Sequence, residues 1–278
     1  MRVATAFALL SAILVGPHPA AAQVETSLHA LFGKDDRVFV VPEGMPWSAV
    51  GKLTFRGSGH CSGSMVSPRV VLTAAHCLFA ERGGPVFDPP TTFLAGYHMG
   101  RYAAEAEVEA YWVSKDYDYE RFLNSSSVDG LDYAFILLSE PIGHDVGHFV
   151  VHELSSDEIE QAVARQWATI TQAGYSGDSE FQLTAHIGCL IVDYYNDNTI
   201  SHECDTLPGD SGSPIFVKRD GEYEVIALDS AVYGGARPNN IAVDSRAFAA
   251  DLQRFVEKYD SVAAAAATPA LTLVAGGG

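Results

Sequence analysis

The chain has 278 residues, of which 47% are hydrophobic and 19% are charged, and its 17 Lys and Arg residues face 35 Asp and Glu residues, giving a formal net charge of −18. This composition excludes an intrinsically disordered chain, and the length allows one large domain or two small ones. The acidic charge excludes nucleic acid as a partner, because phosphate contacts require clustered basic side chains.

Residues 1–22 have the pattern of a removable signal peptide. Arg2 begins a short positive region, residues 3–16 are mostly apolar, and the three alanines at 20–22 form a small-residue cleavage site. The alternative is a membrane anchor, but the apolar run is shorter than the roughly 20 residues that span a bilayer, and no later stretch qualifies. We therefore predict a secreted or periplasmic protein without a membrane span, whose four cysteines can form disulfides.

Residues 23–36 are either a lead-in segment or a short propeptide, and the sequence that follows them is mostly of β type. Its apolar stretches are short, rich in β-branched and aromatic residues, and separated by Gly, Pro, Asn or Asp. This pattern favours barrels or sandwiches over a parallel α/β sheet. The predicted strands are Lys52–Phe55, Cys61–Val66, Val70–Thr73, Thr92–Tyr97, Val108–Val113, Tyr133–Leu138, Ala168–Ala173, Phe181–Val192, Pro214–Lys218, Glu224–Leu228 and Ile241–Val243.

The segment Gly59–Phe79 places a histidine beside a cysteine, His76-Cys77, after a predicted strand. The two could bind a metal, but a cysteine of an exported protein is more often bridged, and Cys61 is available earlier in the same segment. A Cys61–Cys77 bridge would hold the loop that presents His76, as a general base requires.

Asp132, at the start of the apolar strand Tyr133–Leu138, is the predicted buried carboxylate that orients this imidazole. Asp129 is a competitor, but it lies in a Ser-Val-Asp-Gly turn, where a structural role is expected.

His144, His148 and His152 recur every four residues, a spacing that could place three imidazoles on one helical face around zinc. A glycine and two valines between them disfavour a helix, and no H-E-x-x-H motif occurs. We predict no metal site and keep a zinc-dependent hydrolase only as a rival reading.

Two helices are predicted. A capping box at residues 155–158 begins the first, at the junction between two β halves, residues 37–150 and 151–246. The apolar spacing of residues 247–260 predicts an amphipathic C-terminal helix, followed by a flexible tail at residues 261–278.

The sequence Gly209-Asp210-Ser211-Gly212 places a serine in a tight turn between glycines. From such a turn the backbone N–H groups of Gly209 and Ser211 can point to one position, and two converging donors beside a hydroxyl form an oxyanion hole. A polar turn of small residues is common by itself, but its combination with the histidine segment indicates nucleophilic catalysis.

These motifs resemble those of the trypsin/chymotrypsin superfamily of serine proteases. Three motifs occur in the family's order of His, Asp and Ser, namely Thr-Ala-Ala-His-Cys, the strand that follows Asp132, and Gly-Asp-Ser-Gly-Ser-Pro. The similarity covers residues 33–259. The segments Gly33–Arg37 and Pro46–Gly51 are similar to the start of bacterial glutamyl-endopeptidase-like members. The resemblance implies an all-β, trypsin-like fold of two six-stranded antiparallel barrels, with the active site between them and a C-terminal α-helix.

The resemblance also implies a secreted serine endopeptidase that hydrolyses peptide bonds of protein or peptide substrates through an acyl-enzyme. Ser211 would be the nucleophile, His76 the general base and acid, and Asp132 the group that orients the imidazole. The N–H groups of Gly209 and Ser211 would bind the oxyanion. No cofactor is implied, and we expect a monomer.

A second disulfide, Cys189–Cys204, and a specificity pocket are further implications of the resemblance. Asp205 matches the base of the pocket in the trypsin branch, where it would select Arg or Lys before the scissile bond, and Ser230 matches a serine of the pocket wall. Alternatively, Asp205 faces elsewhere and specificity is broad or different. Activation is also open, since a freed N-terminal amine could pair with Asp210.

The rival class is a binding protein that keeps the protease fold without turnover. The presence of His76, Asp132 and Ser211 together argues against it, because the loss of one of them usually marks such proteins.

Overall fold

A computed structural model describes residues 31–81, 85–124, 128, 130–233 and 239–266. The predictions for the signal peptide at residues 1–22, for most of the lead-in segment and for Asp129 fall outside these ranges.

The described chain consists mainly of short strands joined by turns. The strands, in chain order, are β1 (Val38–Val40), β2 (Val50–Thr54), β3 (His60–Met65), β4 (Val70–Thr73), β5 (Phe79–Glu81), β6 (Pro85–Phe87), β7 (Thr92–Ala95), β8 (Ala104–Val113), β9 (Ala134–Leu138), β10 (Val150–Val151), β11 (Ile170–Gly174), β12 (Leu183–Cys189), β13 (Ile191–Tyr194), β14 (Thr199–His202), β15 (Pro214–Arg219), β16 (Glu222–Tyr233) and β17 (Asn239–Asp244). The helices are α1 (Tyr119–Asn124), α2 (Gly143–Val146), α3 (Ser156–Val163) and α4 (Ser245–Ala266), with 3-10 helices at Trp47–Ala49 and Ala75–Leu78. The all-β prediction with a C-terminal helix is therefore confirmed.

Six strands close the first barrel, in the order β2-β3-β4-β9-β8-β7. Strands β4 and β9 are buried along their whole length. This explains why their sequences are continuous apolar runs and do not alternate between apolar and polar residues. Gly51 of β2 has no room for a side chain, because a Cβ there would lie 2.3 Å from the ring of Phe93. This barrel agrees with the six-stranded expectation.

The second half of the chain forms a nine-stranded sheet, where the resemblance implied a six-stranded antiparallel barrel. Its order is β1-β12-β11-β15-β16-β17-β14-β13, with β10 beside β16. Strand β1 comes from the amino-terminal segment and is antiparallel to β12, whereas β10 is parallel to β16. Sequence patterns miss both strands because two or three residues are too few to show alternation.

Two other strand predictions need correction. The stretch Phe181–Val192, predicted as one strand, divides into β12 and β13. Strand β14 was not predicted, because all four of its residues are buried and its polar and apolar side chains do not alternate by exposure.

Helix α3 begins with the predicted capping box, in which Ser155 accepts the N–H of Glu158 and the Glu158 carboxylate accepts the N–H of Ser155. Helix α4 continues to Ala266, so residues 261–266 of the predicted tail are helical instead. Helices α1 and α2 are too short to produce a helical period in the sequence. Within the described ranges, no helix is long and apolar enough to cross a membrane.

Helix α4 follows the second sheet in the chain but packs on the first barrel. The ring of Phe248 lies 5.9 Å from that of Tyr133, and the ring of Phe255 lies 5.5 Å from that of Phe135. The Tyr133 hydroxyl also donates a hydrogen bond to Asp251 at 2.6 Å. The helix therefore joins the two halves of the fold.

Candidate active site

His76 lies in the 3-10 helix that follows β4, and Asp132 lies two residues before β9, the neighbour of β4 in the first barrel. The pairing of these two strands brings the side chains together. The Nδ1 of His76 lies 2.8 Å from Oδ2 of Asp132, and the backbone N–H of His76 donates to Oδ1 at 2.8 Å. Because a carboxylate only accepts hydrogen bonds, Nδ1 carries the proton and Nε2 is left as the basic nitrogen.

Asp132 is fully buried, and its charge is stabilised by its neighbours. Burial alone would raise the pKa of Asp132, but the charge of His76 and the hydrogen bonds from His76 and Ser230 hold it below its usual value. Asp132 is therefore held as a carboxylate against the imidazole of His76.

Ser230, which the resemblance places in the wall of a specificity pocket, is buried in β16. Its hydroxyl donates a short hydrogen bond to Oδ2 of Asp132. The side chain therefore supports Asp132, and a place for this residue in a pocket wall stays a prediction.

Ser211 lies in what we call the catalytic turn, residues 205–211. The carbonyl of Ser211 accepts the N–H of Ser62 at 2.9 Å, and the N–H of Gly212 donates to the carbonyl of Asp229 at 2.8 Å. Gly212 has a φ of +82°, and a Cβ there would lie 2.1 Å from Oγ1 of Thr73 and 2.8 Å from the backbone nitrogen of Ala74. The close approach that only glycine permits brings the end of the catalytic turn against the strand end that carries His76.

The backbone N–H groups of Gly209 and Ser211 are available as donors, because neither makes a hydrogen bond within the described part of the chain. Gly209 has a φ of +105°, which favours glycine. In the same part of the chain the Ser211 hydroxyl makes no hydrogen bond to His76. Such contacts often form only when a substrate is bound.

Both predicted disulfides are formed. Cys61–Cys77 joins β3 to the 3-10 helix that carries His76, and Cys189–Cys204 joins the end of β12 to the residue before the catalytic turn. The Sγ of Cys77 also lies 3.8 Å from the carbonyl oxygen of Ser211, so this bridge contacts both parts of the site.

This geometry agrees with the comparison with known families, in which the model described as Trypsin matches residues 40–252. The chain belongs to the trypsin family. The resemblance to the trypsin/chymotrypsin superfamily is thereby confirmed.

Curated relatives of this trypsin-family chain include a glutamyl endopeptidase from Bacillus licheniformis, 27% identical over 230 residues, an alignment that covers 78% of this chain and 66% of that protein. Transmembrane protease serine 7 from Rattus norvegicus is 27% identical over 251 residues, covering 79% of this chain but only 27% of its own length. A solved Glu endopeptidase structure has a TM-score of 0.66 and 19% identity, covering 82% of this chain and 100% of that one. This last likeness supports the fold.

Asp205 departs from the role that the trypsin branch suggested. It is fully buried, and its two carboxylate oxygens accept the backbone N–H groups of Phe32 at 2.7 Å and Asp36 at 2.8 Å. Oδ2 also lies 3.4 Å from Nδ1 of His186. Both oxygens of the Asp205 carboxylate are thus bonded inside the protein, which favours the alternative that this side chain faces elsewhere over a role as the base of a pocket for Arg or Lys.

Asp229, just before Ser230, forms a second buried pair in this trypsin-family site. One of its carboxylate oxygens lies 3.1 Å from Nε2 of His202. Burial raises the pKa of Asp229, an effect that the contact with His202 opposes.

Phe122 of α1 is a neighbour of the site that the sequence analysis missed. Its ring stacks on the imidazole of His76 with centroids 4.6 Å apart and an interplanar angle of 9°. No local pattern marks this residue, since the contact joins two distant segments.

The three evenly spaced histidines do not come together. Helix α2 ends at Val146, before His148 and His152. His152 instead contacts Glu158 at 2.9 Å, and among the described residues the only group with metal-ligand geometry is Cys61, His76 and Cys77, whose cysteines are bridged. The spacing therefore does not indicate a helical zinc site.

Asp210 is a buried carboxyl next to Ser211 in the chain. Its Oδ2 accepts the Ser176 hydroxyl at 2.6 Å and the N–H of Leu207 at 2.8 Å, whereas Oδ1 has no hydrogen-bond partner in the described ranges. Burial raises the pKa of Asp210 to about 7.

We expect Asp210→Asn to remove a pH-dependent part of the stability. The protonated carboxyl is favoured only in the folded state, so its contribution is fully present below the ordinary pKa of 3.8 and is lost as the pH rises through about 7. Urea unfolding at about pH 5 and about pH 8 should show that the wild type loses about 2–3 kcal/mol relative to the Asn variant over this interval. Equal pH dependence in both proteins would contradict the assignment.

Proposed function

We propose that the protein is an exported serine endopeptidase that hydrolyses peptide bonds through His76, Asp132 and Ser211. The observation that carries this proposal is the pair of hydrogen bonds from His76 to the buried Asp132, next to the glycine-lined turn of Ser211. Membership of the trypsin family supports the same activity. The two disulfides support export to an oxidising compartment.

The proposed reaction begins when the Ser211 hydroxyl attacks the carbonyl carbon of the scissile peptide bond. Nε2 of His76 takes the hydroxyl proton, which is possible because the proton on Nδ1 is held by Asp132. The oxyanion is stabilised by the N–H groups of Gly209 and Ser211.

Collapse of this tetrahedral intermediate breaks the C–N bond, and His76 gives its proton to the leaving amine, so that an ester to Ser211 remains. Water then attacks the ester, His76 takes a proton from the water, and the second collapse releases the carboxylic acid product and returns the proton to Ser211.

The substrates are proposed to be proteins or peptides, and the enzyme is proposed to act as a monomer without a cofactor. The relative from Bacillus licheniformis is named as a glutamyl endopeptidase. In this chain the buried carboxyl of Asp229 is paired with His202 near the triad. The 27% identity to that protein does not carry its preference over to this chain.

Labelling with a fluorophosphonate probe tests the proposal. We expect the mature protein, prepared with both disulfides oxidised, to form a covalent adduct at Ser211, because the probe reacts with a serine activated by a neighbouring base. Ser211→Ala should abolish labelling, and Ser213→Ala, which changes a buried serine two positions away, should retain it.

A wild-type protein that binds peptides but neither labels nor cleaves them would support the rival reading, a protease-fold binding protein. If the wild type does label, digestion of a peptide library by the untreated protein would show which residue precedes each cleaved bond.

A further inference from the structure

The amino-terminal segment, residues 32–37, is bonded to the start of the catalytic turn. Asp205 accepts the backbone N–H groups of Phe32 and Asp36, so one carboxylate holds two points of this segment. Hydrogen bonds to an ionised acceptor are stronger than neutral ones, and Asp205 is fully buried. Displacement of the segment would leave a buried carboxylate without these donors, which is costly.

Arg37 joins the same segment to a second loop. Its guanidinium, with the side chain only 5% exposed, donates to Asp178 at 2.8 Å and 3.2 Å in a two-pronged contact, and also to Asp35. A planar fork of this kind fixes both position and orientation.

The loop that Arg37 holds is bonded to the later part of the catalytic turn. The N–H of Gly177 donates to the carbonyl of Pro208 at 2.6 Å, and the hydroxyl of Ser176 donates to Asp210 at 2.6 Å. These contacts lie on both sides of Gly209, whose N–H is one of the two proposed oxyanion donors.

Strand β1 continues the segment and fixes its direction. Val38 pairs with Ala185 and Val40 pairs with Leu183, so the chain continues from residues 32–37 as the edge strand of the second sheet. The segment thus has three separate attachments, namely Asp205, Asp178 and β12.

We infer that residues 32–37 are a built-in clamp on the catalytic turn, and that Asp205 and Arg37 are positioning residues for the oxyanion donors. This inference rests on the proposed peptidase activity. The clamp acts on the chemical step and not on recognition of the substrate side chain, because Asp205 is fully buried and its carboxylate is directed at the amino-terminal segment.

Three variants of the full mature chain test the clamp, Asp205→Asn, Arg37→Ala and Arg37→Lys. For Asp205→Asn and Arg37→Ala we expect kcat and the rate of fluorophosphonate labelling to fall together, by about 10-fold to 100-fold, since small misplacements of catalytic groups have effects of this size. KM and the residue preferred before the scissile bond should change little. Arg37→Lys keeps the charge but loses the fork, so its loss should be intermediate.

Asp244→Asn is the matched control. Asp244 is also a fully buried aspartate of the second sheet, but it bonds to the backbone and side chain of Arg246 at the start of α4. We expect it to lower the melting temperature and to leave kcat per folded molecule unchanged.

The outcomes separate the clamp from the proposed function. If the wild type does not label, the proposed peptidase activity fails. If the wild type labels and all three clamp variants label at its rate, the clamp is wrong. A change of cleavage preference in Asp205→Asn would overturn the clamp in favour of a specificity role.

The Arg37→Ala variant keeps the test decisive if Asp205→Asn does not fold. Asp35 and Asp178 are 43% and 49% exposed, so loss of Arg37 does not leave a buried charge unpaired. If Asp205→Asn does not fold, the comparison of Arg37→Ala with Arg37→Lys decides the question by the same readouts.

Discussion

Replacement of Asp132 by Asn is expected to lower kcat by about 10⁴-fold, with KM and the fold almost unchanged. Three donors point at this carboxylate in the wild type, namely the backbone N–H and Nδ1–H of His76 and the hydroxyl of Ser230. An amide offers only one acceptor oxygen, so its NH2 group must face one of these donors. The imidazole is then driven to the tautomer with its proton on Nε2, which cannot accept the proton of Ser211.

The measurement is steady-state hydrolysis of a peptide substrate across a range of pH, compared with a Ser230→Ala variant. Ser230→Ala removes a single donor and keeps the tautomer, so we expect a loss of about tenfold at most. A similar loss in both variants would contradict the tautomer argument and would indicate general damage to the site. Circular dichroism and melting curves establish that each variant is folded.

The second large effect is expected from loss of the Cys61–Cys77 bridge. Replacement of both cysteines by Ala should lower the free energy of unfolding by about 3 kcal/mol, because the bridge closes a loop with a sequence separation of 16 residues. The same change should reduce kcat, since this bridge holds the 3-10 helix of His76 against β3. Urea unfolding and steady-state kinetics below the unfolding transition measure the two effects.

Removal of Cys189–Cys204 is the matched comparison, with a sequence separation of 15 residues. The chain-entropy contribution should be almost equal, so the two double variants should have similar stability. Their effects on kcat should differ, because Cys61–Cys77 holds the 3-10 helix of His76, whereas Cys189–Cys204 holds the residue before the catalytic turn. Identical kinetic defects would show that activity follows overall stability alone.

The residues at the centre of the site could be predicted from the sequence because each lies in a segment with a local signature. His76 stands beside a cysteine after a strand, Asp132 opens an apolar run, and Ser211 stands between glycines. In each case the backbone conformation that the chemistry needs is produced by neighbouring residues.

The supporting contacts could not be predicted, because they join residues that are far apart in the chain. Asp205 illustrates this. The sequence shows an acid six positions before the serine, but its partners are the amides of Phe32 and Asp36, and backbone amides have no sequence signature. The stacking of Phe122 on His76 is of the same kind.

The strands of the two halves of the fold could be predicted to different extents. The six strands of the closed barrel were predicted with small errors at their ends, because burial produces clear apolar patterns there. The nine-stranded sheet was less predictable, since β1 and β10 add to it through backbone pairing of very short segments.

The packing of α4 has a consequence for the time at which the first barrel becomes complete. Phe248 and Phe255 supply part of the core around Tyr133 and Phe135, although they are made more than a hundred residues later on the ribosome. A nascent chain therefore lacks part of the first barrel's core until its carboxyl-terminal helix has emerged. The barrel that carries His76 and Asp132 is therefore translated before the second sheet but completed only after α4 has been made.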